Sequence, residues 1–456
     1  MLNRFTELLD SANDIIWASP LIALVAGIGV LFTLRLGALQ FRYFGRAIYY
    51  VLVGEKSGSG EVSGFGALCT AVSATVGTGN IILVAAAVSI GGPGAIFWMV
   101  AVACFGMATK YAEGFLAVKY RSVEIDGHTI GGPFYYIENG MGKGFKWLAK
   151  LFAFFGAFAA LFGVGTMLQS RGIVHAVNGL LDDRVSALIT TAVIALIAAA
   201  VIIGGVRRIA SFSVVATPLA ATLYTASCLL ILIYNFKEIP YAFTEIFVGA
   251  FGLRAAASGV LGAVLASMKG GAAIGVSSNE AGFGSAPIAA AAAISREPAR
   301  QGLISMMGTF IDTIVICNLT GLVILVTHSW DKGLHWTEVV FDAFSNGFIW
   351  PQAAGAWILS ICIILFAFGA IIGWNYYGER CIEYLAGGRG GIIAIYRLLY
   401  IAAIIAGPFF ALNAVWALAH ILNGLMALPN LIALFLLSGV VVAETRSYAY
   451  RTRSRL

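Results

Sequence analysis

The most informative shortage in this sequence is charge. Asp, Glu, Lys and Arg make up 11% of its 456 residues, against roughly a quarter in soluble globular proteins. Hydrophobic residues make up 60%, and many of them form runs of about 20 residues, the length of a membrane span. So few charges over so much apolar sequence exclude an ordinary soluble domain and predict an all-α polytopic membrane protein.

Clusters that serve metal binding or catalysis are also missing. The six cysteines are scattered through the apolar runs, no C-x-x-C occurs, and none groups with the five histidines. We therefore expect small buried cysteines, no metal site and no other cofactor. The histidines fall in loops or near span ends, without a partner set for nucleophilic catalysis, which disfavours a membrane-embedded enzyme. The net charge of +6 is modest, and its distribution indicates a membrane orientation rather than a nucleic-acid partner.

The N-terminal stretch lacks the basic start and small-residue cleavage site of a signal peptide. It carries Glu7, Asp10 and Asp14 against Arg4. We expect an amphipathic pre-helix here, which together with the first span and its loop forms residues 1–60.

Apolar length and flanking charge predict about eleven transmembrane helices. The predicted spans are 16–36, 65–90, 94–118, 147–177, 185–204, 212–235, 258–286, 301–327, 354–378, 391–411 and 427–444. Between them, 36–64 is predicted to be a loop with a short helix, and 237–256 and 328–353 to be amphipathic surface segments.

Lys and Arg concentrate in alternate gaps between these spans. One set of gaps holds Arg42, Lys119, Arg207 and Arg208, and the basic tail 446–456 belongs to the same side. Because positive charge accumulates in the cytoplasm, the pattern predicts an outer N-terminus and a cytoplasmic C-terminus.

Two of the spans contain glycine-rich interruptions. Setting the first span aside leaves ten, which divide into residues 61–236 and 257–445. The first span of each half is interrupted, by "VGTGN" in 65–90 and by "KGGAAIGVSSNEAGFGSAP" in 258–286, and the two run in opposite directions. Paired interrupted helices in inverted halves indicate a secondary transporter with a site at mid-membrane.

The interruption in the first half suggests what that site binds. Gly77 and Gly79 tolerate the dihedrals of an unwound helix, and the bared backbone groups need partners because lipid supplies none. Amides at the start of a half-helix suit a carboxylate, whereas carbonyls and the Thr and Asn oxygens suit a small hard cation. The alternative is that these glycines only permit close packing.

Seven ordered blocks of this sequence resemble the alanine/glycine:cation symporter family of prokaryotes. They are "ATVGTGN" (74–80), "GGPGAIFWM" (91–99), "GMATKYAE" (106–113), "GGPFYYIENG" (131–140), "SNEAGFGSAP" (278–287), "FIDT" (310–313) and "GWNYYGERCIEYL" (373–385). The resemblance covers residues 15–445, nearly the whole chain.

This resemblance implies a five-plus-five inverted-repeat fold, shared with the neurotransmitter–sodium symporters, after one extra N-terminal helix. It also implies symport of a small neutral amino acid with Na⁺ across the cytoplasmic membrane of a bacterium or archaeon. The implied substrate-binding residues are Thr78, Gly79, Asn80, Gln169, Ser277, Ser278 and Trp374. The implied cation ligands are Thr75 and Asn80 at one site and Ser73 and Val76 at a second.

The sequence departs from the family pattern at two places. Ser277 stands where the family has an aromatic residue and Ile274 where it has an arginine, which predicts a substrate larger or more polar than alanine unless another bulky residue compensates. Gly369 and Ala370 stand where the family has a Ser/Thr pair, which predicts a weakened second sodium site, or coupling to H⁺ or to a single ion.

Several charged residues lie within or beside the predicted spans. Lys269 is a candidate functional charge or a snorkelling side chain, and Lys110 with Glu113 is expected to form an i,i+3 pair near the inner end of its helix. Asp312 is expected to form a structural hydrogen bond to a neighbouring broken helix, with direct ion ligation as the alternative. Besides the symporter, the alternatives are a non-transporting amino-acid sensor on the same fold and a channel, which would need a continuous polar pore lining.

Overall fold

A computed structural model describes residues 11, 13, 16, 19–55, 57–123, 129–181, 185–252, 259–410 and 412–453. These residues are almost entirely helical. The strands that they contain are β1 (Ser122–Val123) and β2 (Thr129–Ile130), which pair antiparallel in a small hairpin. All six cysteines carry free thiols; five are buried as expected, and Cys104 is half-buried.

The α-helices are numbered here in chain order. They are α1 (Ser19–Arg35), α2 (Leu39–Arg42), α3 (Phe44–Leu52), α4 (Gly64–Thr75), α5 (Gly79–Gly91), α6 (Ala95–Lys119), α7 (Pro133–Tyr135), α8 (Lys146–Phe162), α9 (Met167–Leu181), α10 (Ala187–Ile202), α11 (Gly205–Tyr234), α12 (Ile239–Ala250), α13 (Val260–Asn279), α14 (Ala286–Ala291), α15 (Pro298–Thr309), α16 (Asn318–Val326), α17 (Trp336–Asn346), α18 (Gln352–Ala386), α19 (Gly390–Ala406), α20 (Leu412–Leu436) and α21 (Ser438–Arg453). The π-helical segments are Tyr136–Gly140 and Phe310–Cys317, and the 3₁₀ turns are Lys143–Phe145, Phe236–Glu238 and Gly407–Phe409.

Several of the helices are long and apolar enough to cross a membrane. Within the described ranges, eight qualify individually, and the bent pair α4–α5 raises the number to nine. The two shorter apolar helices, Pro20–Arg35 and Ala187–Ile202, occupy the places of the remaining predicted spans. The loop with short helices (α2, α3) and the surface helices α12 and α17 lie where they were predicted.

The predicted span 147–177 is interrupted in the structure. Helix α8 ends at Phe162 and α9 begins at Met167, with Gly163 and Gly165 between them. A side chain at Gly165 would have its Cβ 2.6 Å from Cβ of Trp374. The glycine therefore lets the break lie against α18, and it sets the position from which α9 starts.

The prediction for the last span is wrong. The segment 427–444 is divided by a break after Leu436, and the spanning helix is α20, which starts at Leu412. The polar residues of its first half lowered its apparent hydrophobicity in the sequence. In the structure they face an internal cavity, which is why they are tolerated at membrane depth. Residues 438–453, including most of the predicted basic tail, form the separate helix α21.

The break in the second interrupted span lies later than predicted. Helix α13 continues through Gly270, Gly271 and Gly275 to Asn279. A Cβ at Gly271 would lie 2.1 Å from the Ala95 carbonyl oxygen, so this glycine permits close packing of α13 on α6. The chain unwinds at 280–285, where Glu280, Gly282 and Gly284 adopt positive φ angles of 53°, 92° and 83°.

The two breaks lie close to one another in the fold. Helices α4 and α5 are bent by 49° across their break, and α13 packs against both α5 and α6. Helix α15 also packs along α6. The predicted pre-helix falls on residues 1–17, most of which lie outside the described residues.

Candidate functional site

A small cavity of about 50 Å³ lies between the two breaks. Segments far apart in the sequence converge on it: residues 74–83, the start of α9, the end of α13, the middle of α18 and the first half of α20. All the predicted substrate-binding residues line it, namely Thr78, Gly79, Asn80, Gln169, Ser277, Ser278 and Trp374. Thr75, a predicted cation ligand, also lines it.

The first break is built around Gly77 and Asn80. Helix α4 ends with the Val76 amide bonded to the Val72 carbonyl at 2.8 Å, and the Gly77 amide donates to Oδ1 of Asn80 at 3.0 Å. A Cβ at Gly77 would lie 2.7 Å from Nε2 of Gln169. An added methyl group would therefore require the flexible end of the Gln169 side chain to move away from the unwound backbone.

The carboxamide of Gln169 lies against this bared backbone. Its Oε1 accepts from the Thr78 amide at 3.2 Å and from the Thr78 hydroxyl at 3.3 Å, and its Nε2 donates to the Val164 carbonyl at 3.0 Å. Gly172 on the same helix leaves room, since a Cβ there would lie 2.3 Å from Cγ2 of Thr78. The amide predicted to bind a carboxylate thus faces an amide oxygen of the protein itself.

A chain of buried hydrogen bonds connects the two breaks. Nδ2 of Asn80 donates to Oδ1 of Asp312 at 2.8 Å, and the Thr313 hydroxyl donates to the same oxygen at 3.0 Å. Thr313 in turn contacts the Ser278 hydroxyl at 2.9 Å and Nδ2 of Asn279 at 3.0 Å. The structural hydrogen bond expected of Asp312 is therefore confirmed. Its Oδ2 is buried with no hydrogen-bond partner among the described side chains and backbone.

The second break is held by a buried carboxylate on α6. Oε1 of Glu113 accepts from the Gly282 amide at 3.2 Å, the Gly284 amide at 3.0 Å and Nδ2 of Asn430 at 2.7 Å. Because these amides belong to unwound backbone, Glu113 supplies the acceptors that the helix has lost.

The expectation for Lys110 and Glu113 is consequently wrong. Glu113 is fully buried and Lys110 is 3% exposed, so neither forms a surface pair. Nζ of Lys110 has no hydrogen-bond partner within the part of the chain that the structure describes. Lys269 is exposed on the surface of α13, which favours its snorkelling interpretation, whereas Lys110 is a buried lysine.

The second predicted cation site lies beside Gly369. A Cβ at Gly369 would lie 2.5 Å from Oγ of Ser73, so the Ser73 hydroxyl occupies the space that the family's Ser/Thr side chain would need. A cavity of about 10 Å³, the size of one water or small ion, is lined there by Ser73, Val76, Thr217 and Gly369 among others. Ala370 is buried but does not line it.

Several cavity residues were not predicted from the sequence. Among them are Phe283 of the second break and Trp416, His420 and Asn423 of α20. Trp416, His420 and Asn423 are spaced i, i+4 and i+7, which puts them on one helix face. That spacing was a usable signal, but the span was predicted to begin after all three.

Comparison with known proteins identifies the relatives of this chain. The sequence profile of the sodium:alanine symporter family matches residues 2–455. The "Sodium/alanine symporter AgcS" of Methanococcus maripaludis is 44% identical over 97% of this chain and 97% of its own length. The "Probable sodium/glutamine symporter GlnT" of Bacillus subtilis is 37% identical over 98% of this chain and 91% of its own.

The fold has a counterpart among solved structures. The crystal structure of MhsT in complex with L-phenylalanine superposes with a TM-score of 0.56 at 14% identity, covering 84% of this chain and 90% of that one. The chain has the five-plus-five fold of the neurotransmitter–sodium symporters, and it is a transporter, not an enzyme. On the evidence of the profile and of these relatives, it belongs to the sodium:alanine symporter family.

Proposed function

We propose that this protein takes up a small neutral amino acid, alanine or glycine in the first place, together with Na⁺ across the cytoplasmic membrane. The observation that carries the proposal is the convergence of the first break, Gln169, Ser278 and Trp374 on one internal cavity. The name of the relative AgcS, at 44% identity, supports the choice of substrate and ion.

The substrate carboxylate binds at the start of α5. The first amides of a helix have no partner within the helix, and the helix dipole favours negative charge there. At present Oε1 of Gln169 accepts from the Thr78 amide. An arriving carboxylate is a stronger acceptor than a neutral carboxamide, so it displaces Gln169 and binds the Thr78 and Gly79 amides.

The size of the cavity favours a small side chain. Ser277 lines the cavity, but Phe283, Trp374 and Trp416 line it as well. These aromatic residues supply the bulk that the family's aromatic residue provides at position 277. The alternative, a larger or more polar substrate, is supported by the name of the relative GlnT and requires these rings to move.

Na⁺ occupies two positions on the first break. At one, the Thr75 carbonyl and the Asn80 side chain are joined by Asp312, whose buried Oδ2 lacks a hydrogen-bond donor within the described ranges. A hard cation suits an oxygen ligand of this kind. At the other, the carbonyls of Ser73 and Val76 are joined by the hydroxyls of Ser73 and Thr217, which replace the two missing at Gly369 and Ala370.

Transport follows from movement of the two broken spans against the other helices. We assign the inverted repeats to residues 61–236 and 257–445, with the N-terminus outside and the C-terminus in the cytoplasm. The Lys and Arg distribution supports this orientation. Asp312 and Glu113 each accept a hydrogen bond from one of the breaks. During transport these bonds either stay intact, so that the acids move with the broken spans, or they break and free the spans to move.

Uptake by proteoliposomes tests the proposal. Labelled alanine, glycine, serine, glutamine and leucine are compared with and without an inward Na⁺ gradient, and counterflow is measured with unlabelled alanine inside. We expect saturable, Na⁺-driven uptake of alanine and glycine, with counterflow. Uptake without counterflow would indicate a channel, binding without uptake a sensor, and uptake driven by a pH gradient alone an H⁺-coupled carrier; each result refutes the proposal.

A charge variant tests the carboxylate site itself. Gln169→Glu places a negative charge at the Thr78 amide and repels the substrate carboxylate, so alanine binding is lost. Gln352→Glu, at an exposed position on α18, is the matched control and leaves uptake unchanged. Equal uptake by the two variants would exclude the Thr78 amide as the binding group.

A further inference from the structure

A second and much larger cavity lies away from the substrate site. It has a volume of about 690 Å³, which is within the range of ligand pockets, roughly 300–1,000 Å³. Its walls come from α9, α10, α11 and α18, and include Val193, Ile197, Phe212, Val215, Leu219 and Phe368. Nothing proposed for transport uses this cavity.

The cavity is apolar and opens toward the membrane. Val215 is 67% exposed and Val193 51% exposed, although both lie within membrane-spanning helices, so these side chains face lipid. Apolar cavities are not filled by water, and in a membrane the adjacent material is the hydrocarbon of lipid acyl chains. A lipid acyl chain that enters the cavity from the side would cover the exposed side chains of both α10 and α11.

A basic residue, Arg208, lies about one helical turn before the cavity-lining residue Phe212 on α11. Phe212, Val215 and Leu219 follow Arg208 by 4, 7 and 11 residues, so all four lie on the same face of α11. Its Nη1 donates to the carbonyl of Ala200 on α10 at 2.9 Å. The guanidinium therefore bridges the two helices that form the cavity walls.

Arg208 retains capacity for a further ligand. A guanidinium has five N–H donors in a planar fork that matches a phosphate, and the described contacts use one of them. The side chain is exposed, and its aliphatic stem lies over Gly204, where a Cβ would come within 2.2 Å of Cδ of Arg208. Arg207, the next residue, adds a second exposed positive charge at the same helix start.

We propose that this cavity is a binding site for one anionic phospholipid. The acyl chain inserts between α10, α11 and α18, and the phosphate binds the Arg208 guanidinium at the inner end of α11. The acyl chain accounts for the apolar walls and the anionic headgroup for the arginine pair. Basic groups at the inner ends of spans bind anionic headgroups in this way.

The lipid site lies next to the second cation site. Ala216 and Leu365 line both the large cavity and the small cavity beside Ser73 and Gly369. An acyl chain in the large cavity therefore packs against Ala216 and Leu365, which separate it from the small cavity that Thr217 lines. This position gives the lipid an effect on transport without any contact with the substrate.

Lipid binding to the purified, delipidated full-length protein tests the proposal. Native mass spectrometry gives the affinity for dioleoyl phosphatidylglycerol and for dioleoyl phosphatidylcholine. We expect one site that prefers phosphatidylglycerol. Arg208→Gln weakens phosphatidylglycerol binding about fivefold, the effect of one basic residue near the headgroup, and Arg208→Lys keeps part of the preference. Val193→Trp fills the cavity and weakens binding of both lipids.

Matched controls separate this site from general lipid contact. Arg389→Gln removes an exposed arginine that does not line the cavity, and Leu196→Trp enlarges a lipid-facing side chain, 73% exposed, on the same helix as Val193. Both controls bind phosphatidylglycerol as the wild type does, and inorganic phosphate does not compete. The proposal would be overturned if the wild type bound the two lipids with equal affinity, or if the test and control variants had equal effects on binding. It would also be overturned if binding were lost only in variants whose unfolding temperature also falls.

Discussion

The side-chain amide of Asn80 donates to the carboxylate of Asp312 at 2.8 Å. Asn80 begins α5, next to the first break, and Asp312 lies in the π-helical segment that follows α15. Through Thr313 the same carboxylate is connected to Ser278 and Asn279 at the end of α13. The two broken spans therefore share one buried acid, and a change at this acid is felt by both.

Asp312→Asn keeps the size of the side chain and an oxygen for Asn80 but removes the negative charge. We expect the half-saturating Na⁺ concentration for alanine uptake to rise at least about tenfold, because a lost charge contact with a cation costs roughly 1.5–3 kcal/mol. Sodium titration of uptake measures this. Asp342→Asn on the surface helix α17 makes the same chemical change far from the breaks and serves as the control; an equal response of both would remove Asp312 from the cation site.

Gly77→Ala should weaken alanine transport without a charge change. Its Cβ would lie 2.7 Å from Nε2 of Gln169, so the Gln169 carboxamide must turn away and lose its hydrogen bonds to Thr78 and Val164. Gly27→Ala, at a glycine with no atom within 4 Å of the added Cβ, should be silent. Adding Gln169→Ala to Gly77→Ala removes the clash and should restore the unfolding temperature. A fully active Gly77→Ala protein would contradict the close approach of Gln169.

Lys110 and Glu113 should be energetically coupled. Both side chains are buried at i and i+3 on one face of α6. They form no direct bond among the described residues, so any coupling acts through the buried low-dielectric space between them. We expect Lys110→Met and Glu113→Gln each to lower the unfolding temperature and the double variant to lower it by less than the sum. The double-mutant cycle measures this coupling, and strict additivity would show that the two charges are independent.

Restoring the family's hydroxyl at position 369 should not strengthen sodium coupling. In Gly369→Ser the new Cβ lies 2.5 Å from Oγ of Ser73, so the two side chains compete for one space. Sodium affinity should fall in Gly369→Ser and recover when Ser73→Ala is added, since one hydroxyl then remains. Affinity measured by sodium-dependent uptake decides this, and a gain in the single variant would disprove the replacement by Ser73.

Trp416→Ala should widen substrate selection. Trp416 lines the small cavity, and removing its ring adds space for a larger substrate side chain, so leucine or glutamine should compete better against labelled alanine. Trp357→Ala, on the lipid-facing side of α18 and 54% exposed, is the matched control. Unchanged competition in Trp416→Ala would show that the ring does not limit substrate size.

The sequence was sufficient for the features that depend on composition and local chemistry. The length of the apolar runs predicted the spans. A helix needs about 20 residues to cross the hydrocarbon core, where its backbone groups must be hydrogen-bonded within the protein. Gly77 and Gly79 predicted the first break for the same reason. The family resemblance placed Gln169, Ser277, Ser278 and Trp374 in one site, and all four line the cavity.

Its errors have a common physical cause, which is that glycine and polar residues serve several purposes in a membrane helix. Gly271 was taken as part of a break, yet it permits α13 to pack on α6. His420 and Asn423 precede the predicted last span, 427–444, yet both belong to the spanning helix α20 and face an internal cavity. Lys110 and Glu113 were placed at an interface because i,i+3 pairs are common there, yet both are buried.

The sequence by itself determined that this chain crosses the membrane many times and that its helix is broken at residues 76–78, since both follow from the cost of bare peptide groups in hydrocarbon. Only the tertiary structure decided which groups meet at the breaks. Gln169 reaches Thr78, Asp312 reaches Asn80 and Glu113 reaches Gly284 from helices distant in the chain. The partner of a buried polar group depends on how helices pack, and packing depends on the shapes of all the surfaces in contact rather than on any local stretch.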